Sequence, residues 1–165
     1  MVTKVSDVRD LVKQAIADPR RCFSSILKLA TSEDWKVREV AASVLVEAGK
    51  KKPDDIVAEV ILWADHANPN VRRTASEGLR DVARKNPGLV LPVIAKLKAD
   101  PNLYVKKSVA NVLRNAGNYH PEFVLSVCTE WAKSKNTNTD WIIKDGLRKL
   151  KAKYPKRVAE IIAKH

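Results

Sequence analysis

Cysteine is nearly absent: Cys22 and Cys128 stand alone and far apart in the chain. That excludes a disulfide scaffold and fits reduced thiols in the cytoplasm. Glycine is scarce, with five residues, and clusters of β-branched residues are few, so helices are favoured over strands. No apolar run approaches the ~20 residues of a membrane span. The opening Met1-Val2-Thr3-Lys4-Val5-Ser6-Asp7 lacks the apolar stretch of a signal peptide. The expected location is therefore cytoplasmic. Acidic residues are in deficit, with 19 Asp and Glu against 31 Lys and Arg and a formal net charge of +12. There is no glycine-rich phosphate loop and no G-x-S-x-G. His66, His120 and His165 share no ligand spacing with cysteines or carboxylates, so neither a metal nor a cofactor is expected.

What is abundant is a period. Pro19, Pro53, Pro87, Pro121 and Pro155 follow one another at a constant step, the mark of a repeat array. Proline suits the first turn of a helix, where its missing N–H costs nothing. Each proline is therefore predicted to open a helix, here called helix A. Three residues on stand Cys22, Ile56, Val90, Val124 and Val158, and seven on stand Ile26, Val60, Ile94, Cys128 and Ile162. Ten on, in the first four copies, come Leu29, Trp63, Leu97 and Trp131. These offsets describe one helical stripe, predicted to be core.

A second signature precedes each later proline: Asp34-Trp35-Lys36-Val37-Arg38, Asn68-Pro69-Asn70-Val71-Arg72, Asn102-Leu103-Tyr104-Val105-Lys106 and Asp140-Trp141-Ile142-Ile143-Lys144. The leading Asp or Asn is an N-cap, accepting from the orphan N–H groups of the first turn. Val37, Val71, Val105 and Ile143 are the apolar anchors of this helix B. The last anchor lies four positions later than the step between the others would place it. That predicts a loop four residues longer through Ser134–Thr139 and about one turn lost from the last helix B. The first copy, near Val5 to Ile16, is degenerate. Cap, anchor and basic residue together resemble the HEAT pattern, while the tetratricopeptide signature is missing. The fold expected is an all-α, HEAT-like α-solenoid of about five helix pairs, a right-handed superhelix with a basic concave face. Its repeats run approximately 1–32, 33–67, 68–101, 102–137 and 138–165, and 1–165 forms one domain.

With the core rows assigned, the outward rows of helix B follow. In the third repeat they carry Arg73, Glu77, Arg80 and Arg84, and in the fourth Lys107, Asn111, Arg114 and Asn118. Residues 133–165 add ten Lys or Arg against three Asp or Glu, Arg148 and Lys149 among them. A basic groove is the footprint of a nucleic-acid backbone binder. The row after the anchors, Arg38, Arg72, Lys106 and Lys144, is read as structural, a ladder pairing with neighbouring caps. Trp63 and Trp131 are read as core. Trp35 and Trp141, at the mouths of their helices, could cover the inter-helix turn or stack on a base. Glu77 is either a carboxylate offered to a substrate or the partner of Arg73 and Arg80 in a surface network.

Val71-Arg72-Arg73-Thr74-Ala75-Ser76-Glu77-Gly78 and Tyr104-Val105-Lys106-Lys107-Ser108-Val109-Ala110-Asn111 resemble segments of the DNA alkylation repair proteins, HEAT-like 3-alkylpurine DNA glycosylases. His120-Pro121-Glu122, Trp131, Trp141-Ile142-Ile143-Lys144 and Leu147-Arg148-Lys149-Leu150 are similar too, so that the resemblance covers roughly residues 60–155. It implies a concave DNA-binding face and excision of cationic alkylated bases, with Glu77 at a family acidic position. The departures are specific. The family's Arg-Pro-Arg-Leu-Pro-Trp stretch is replaced by Leu79-Arg80-Asp81-Val82-Ala83-Arg84, which is read as continuing the helix. Asn115 stands where an acidic residue is expected, and Asp145 where a histidine is usual. Glu77 and Asp145 are left as catalytic candidates. Arg73, Arg80, Arg84, Lys107, Asn111, Arg114, Arg148, Lys149 and Trp141 are the nucleic-acid-binding candidates. The expectation is a monomer that binds duplex DNA without sequence preference and has little or no glycosylase activity. RNA and a protein partner for a HEAT-type scaffold are the alternatives.

Overall fold

The computed structural model describes residues 5–163. Met1-Val2-Thr3-Lys4 and His165, weighed above, lie outside them. Among the described residues there are eleven helices and no strands. The five A helices are α2 (Pro19–Ala30), α4 (Pro53–Trp63), α7 (Pro87–Leu97), α9 (Pro121–Ala132) and α11 (Pro155–Ala163), each opened by its proline as predicted. The B helices are α1 (Val5–Ala17), α3 (Trp35–Gly49), the broken pair α5 (Pro69–Glu77) and α6 (Arg80–Lys85), α8 (Leu103–Gly117) and α10 (Thr137–Gly146). None of them is long and apolar enough to cross a membrane.

Two expectations are corrected. The last helix B begins at Thr137, capped by Asn136, and not at the Asp140 signature. Asp34, Asn68, Asn102 and Asn136 thus keep the same step as the prolines, and each accepts the N–H two residues on at 2.9 Å. The register never slips and the loop is not lengthened. The true fourth anchor is Thr139, fully buried, its hydroxyl donating to the Lys98 carbonyl at 2.8 Å. A polar residue can hold this apolar position because that bond removes its desolvation penalty. The second correction concerns Leu79–Arg84, which do not simply continue the helix: Gly78 and Leu79 form a turn between α5 and α6.

Both departures from a full-length helix B fall at the same repeat position. A Cβ on Gly78 would lie 2.7 Å from Leu45 Cβ, and one on Gly146 would lie 2.9 Å from Leu113 Cδ1. These glycines let one B helix settle onto the leucine of the preceding one, and the helices break or end there. Leu11, Leu45, Leu79, Leu113 and Leu147, spaced by the same step again, are all buried and form the spine of the core. The predicted A-helix stripe is buried with them, except that Ile162 is only partly covered. Neighbouring B helices pack closely, whereas neighbouring A helices touch sparsely. The stack therefore bends toward the B layer, whose outer rows line the concave face.

The row after the anchors is structural, but its partners are loop carbonyls, Asp100 and Asn138 and not the N-cap side chains. Arg38 Nη1 donates to the carbonyls of Ser32 and Glu33, both at 2.8 Å, and Arg72 Nη1 to those of His66 and Ala67, both at 3.0 Å. Arg72 Nε also meets Asp100 Oδ2 at 2.7 Å, and Lys106 reaches Asn138 Oδ1 in the next repeat at 3.2 Å. These bonds pin each inter-repeat loop against the start of its helix. The corrected register removes Lys144 from this row.

Candidate nucleic-acid interface

The corrected register realigns the groove. Two residues past the anchors stand Glu39, Arg73, Lys107 and Trp141, and six past stand Ser43, Glu77, Asn111 and Asp145. Nine past stand Val46, Arg80, Arg114 and Arg148, and thirteen past stand Lys50, Arg84, Asn118 and Ala152. Trp141 thus lies one turn inside its helix, in line with Arg73 and Lys107, and not at the mouth. Asp145 becomes the repeat-equivalent of Glu77, and Arg148 that of Arg80 and Arg114. Lys149 is exposed one position beyond that row.

The middle of the groove is charge-compensated. Arg80 lies 3.2 Å from Glu77 and 3.6 Å from Glu39. Arg114 Nη1 meets Asp145 Oδ2 at 2.7 Å and the Asp145 carbonyl at 3.1 Å, and Arg148 approaches the same carboxylate at 3.6 Å. Asn111 faces Arg114 at 3.5 Å. The surface network proposed for Glu77 is therefore present with Arg80. Arg73 is no part of it: its guanidinium has no hydrogen-bond or ion-pair partner among the described residues. Lys107 also lacks a carboxylate and rests 5.6 Å from the Tyr104 ring.

Across the groove Arg84 has no carboxylate partner. It donates to the Tyr119 hydroxyl at 2.7 Å and lies 5.1 Å from that ring. Arg73 and Arg84 are eleven positions apart along the α5–α6 segment, about 16 Å at the helical rise. The concave face thus carries a strip of paired Arg and carboxylate between unpaired cations on either side. Trp141, half-buried, has Lys106 5.5 Å from its ring and shares a shallow pocket with Lys144, Asp145 and Arg148.

Two participants escaped the sequence reading, Tyr119 and the ring of Tyr104. Tyr104 stands one turn before Lys107, whereas Tyr119 follows Asn118 and meets Arg84 from 35 residues away, which no local pattern marks. Trp63 and Trp131 are buried core, as expected. Trp35 is 63 % exposed and so does not close the inter-helix turn. Among the described residues no group of three or more His, Cys, Asp or Glu side chains could hold a metal ion.

Comparison with curated proteins finds no match. Among solved structures, the chain is similar to the Pseudomonas fluorescens alkylpurine DNA glycosylase AlkC bound to DNA containing an abasic site analog, at 28 % identity and a TM-score of 0.76. The likeness covers 94 % of this chain but 45 % of that one, so this chain spans less than half of its solved relative. A family model for HEAT repeats matches residues 23–114. With caps, prolines and core leucines in one repeat phase, the chain belongs to the HEAT-repeat family.

Proposed function

We propose that this chain binds duplex DNA through its phosphate backbone, without sequence preference, in the concave groove of its B helices. The observation that carries the reading is the pair Arg73 and Lys107, neighbours in one groove row with no carboxylate to neutralise them. A polyanion gains most from such cations, because each phosphate they neutralise releases counterions. Arg84 on the far side adds a second line of contact. A gap of about 16 Å is enough to straddle a DNA groove of roughly 6–12 Å and the phosphate strands beside it. The likeness to a DNA-bound glycosylase supports the same ligand.

For chemistry the arrangement is poor. A glycosidic bond to a cationic base breaks through an oxocarbenium-like state that needs preorganised negative charge. The three groove carboxylates, Glu39, Glu77 and Asp145, all have arginines beside them. We therefore read the chain as a binding module in which excision is weak or lost.

Fluorescence anisotropy with a blunt duplex at several salt concentrations tests the reading. The parent should lose affinity steeply as salt rises. Arg73→Ala/Lys107→Ala should weaken binding equally across sequences and lower the log–log salt slope by about 2, near 0.9 per lost phosphate contact. A double variant that binds like the parent would move the interface off the groove, with the lysines of 149–156 as the next place to look.

A further inference from the structure

At the N-terminal rim of the groove, the starts of α3, α5 and α8 enclose a cleft of about 430 Å³ lined by Trp35, Arg38, Glu39, Asn70, Arg73 and Tyr104. Trp35 is 63 % exposed and Tyr104 61 %. Large aromatic rings left in water on a stable surface mark contact sites more often than packing. Lys36 and Lys107 lie 6.0 Å and 5.6 Å from these two rings, but neither lines the cleft, so its interior stays open.

Arg38, tied through Nη1 to the Ser32 and Glu33 carbonyls, forms part of the cleft wall. Glu39 and Asn70 add acceptors and an amide, and Arg73 supplies an unpaired cation at the boundary between cleft and groove.

We propose that this cleft is a subsite for one unpaired nucleobase, so that the preferred ligand is a duplex ending in a single-stranded extension. Trp35 or Tyr104 stacks on the base, as aromatic platforms do for single strands. Asn70 and Glu39 meet its polar edge. Arg73 holds the phosphate that links this nucleotide to the duplex in the groove. The volume is that of a small-ligand pocket, large enough for one base and its sugar. The inference rests on the groove reading, since the duplex must lie where Arg73 can reach both.

The test compares three probes: a blunt duplex, the same duplex with a four-nucleotide extension, and the extension strand alone. The parent should bind the extended duplex about tenfold more tightly than the blunt one, within the range that stacking of one base provides. Trp35→Ala/Tyr104→Ala should abolish that preference and Trp35→Phe should retain it, while Trp35→Ala leaves blunt-duplex affinity unchanged. Because both rings are largely exposed, thermal melts should show these variants folded like the parent. Equal affinity of the parent for blunt and extended duplexes overturns the cleft assignment alone. So does a preference that survives in Trp35→Ala/Tyr104→Ala. Failure of the parent to bind any probe overturns the groove reading as well. An extended RNA strand bound as tightly as DNA would support the cleft and show that it does not read the 2′-hydroxyl.

Discussion

At the scale of single residues, small differences at one repeat position shape the stack. Val44 and Val112 occupy the seventh place past the anchor in α3 and α8, which run unbroken for 15 residues each. Gly78 and Gly146 occupy it where helix B breaks or stops. For Gly78→Ala two effects compete. Alanine is favoured in a helix by up to ~1 kcal/mol. Against that, its methyl would sit 2.7 Å from Leu45 Cβ and 2.8 Å from Cδ1, contact with a fully buried side chain that cannot swing away. Overpacking costs about 1–3 kcal/mol and wins, so a thermal or urea melt should show net destabilisation. Cys128 allows a pH test. Burial pushes its thiol up to about 12 from the ordinary 9.0. The folded state holds that proton longer than the unfolded chain. The contribution to stability is therefore complete below pH 9 and declines as pH rises from there toward 12. Cys128→Ala should flatten this alkaline decline in urea melts taken from pH 8 to 11.

At the scale of elements, helix boundaries are set by side chains that the sequence displays openly. Proline begins every A helix, and Asp or Asn caps α3, α5, α8 and α10. Asn136 accepts from the N–H groups of Asn138 and Thr139 at 2.9 and 3.1 Å. Asn136→Ala should cost about 1 kcal/mol in a urea melt, whereas a helix starting near Asp140 would leave it silent. Between elements, Asp100 ties the loop after α7 to α5. Its side chain is 6 % exposed, receives Arg72 at 2.7 and 3.3 Å, and accepts the Asn102 N–H at 3.0 Å. Asp100→Ala strands a largely buried guanidinium. The expected loss is about 3 kcal/mol, at the lower end for a broken buried pair, because two carbonyls still hold Arg72. A guanidinium chloride melt measures it.

At the scale of the whole molecule, the question is what the groove can do once its charges are paired. A net charge of +12 suggests cations everywhere, yet the centre of the concave face is close to neutral, with unpaired cations beside it. That distribution favours holding a duplex by its strands over stabilising a cation between them. Incubation with methylated duplex DNA should release little or no 3-methyladenine or 7-methylguanine. Clear release that vanishes in Glu77→Gln, with DNA binding intact, would overturn this and make the groove a working glycosylase site.

The sequence alone was enough for the architecture, because architecture rests on local rules. A proline at a helix start, an Asp or Asn cap and a constant repeat phase act within one turn or one repeat of the chain. The same locality hides Thr139, a buried threonine at the anchor position, because Ile143 four residues on is the apolar residue that local rules favour. The Thr139 hydrogen bond to Lys98 comes from 41 residues away and leaves no mark on neighbouring letters. The basic rows were legible, but not which cations are free. Arg73 and Arg80 read alike in sequence, and only the approach of Glu39 from the preceding repeat, with Glu77 beside it, distinguishes them. Charge can be counted along a chain, but its compensation depends on distances of a few ångströms across repeats, which only the packed stack decides.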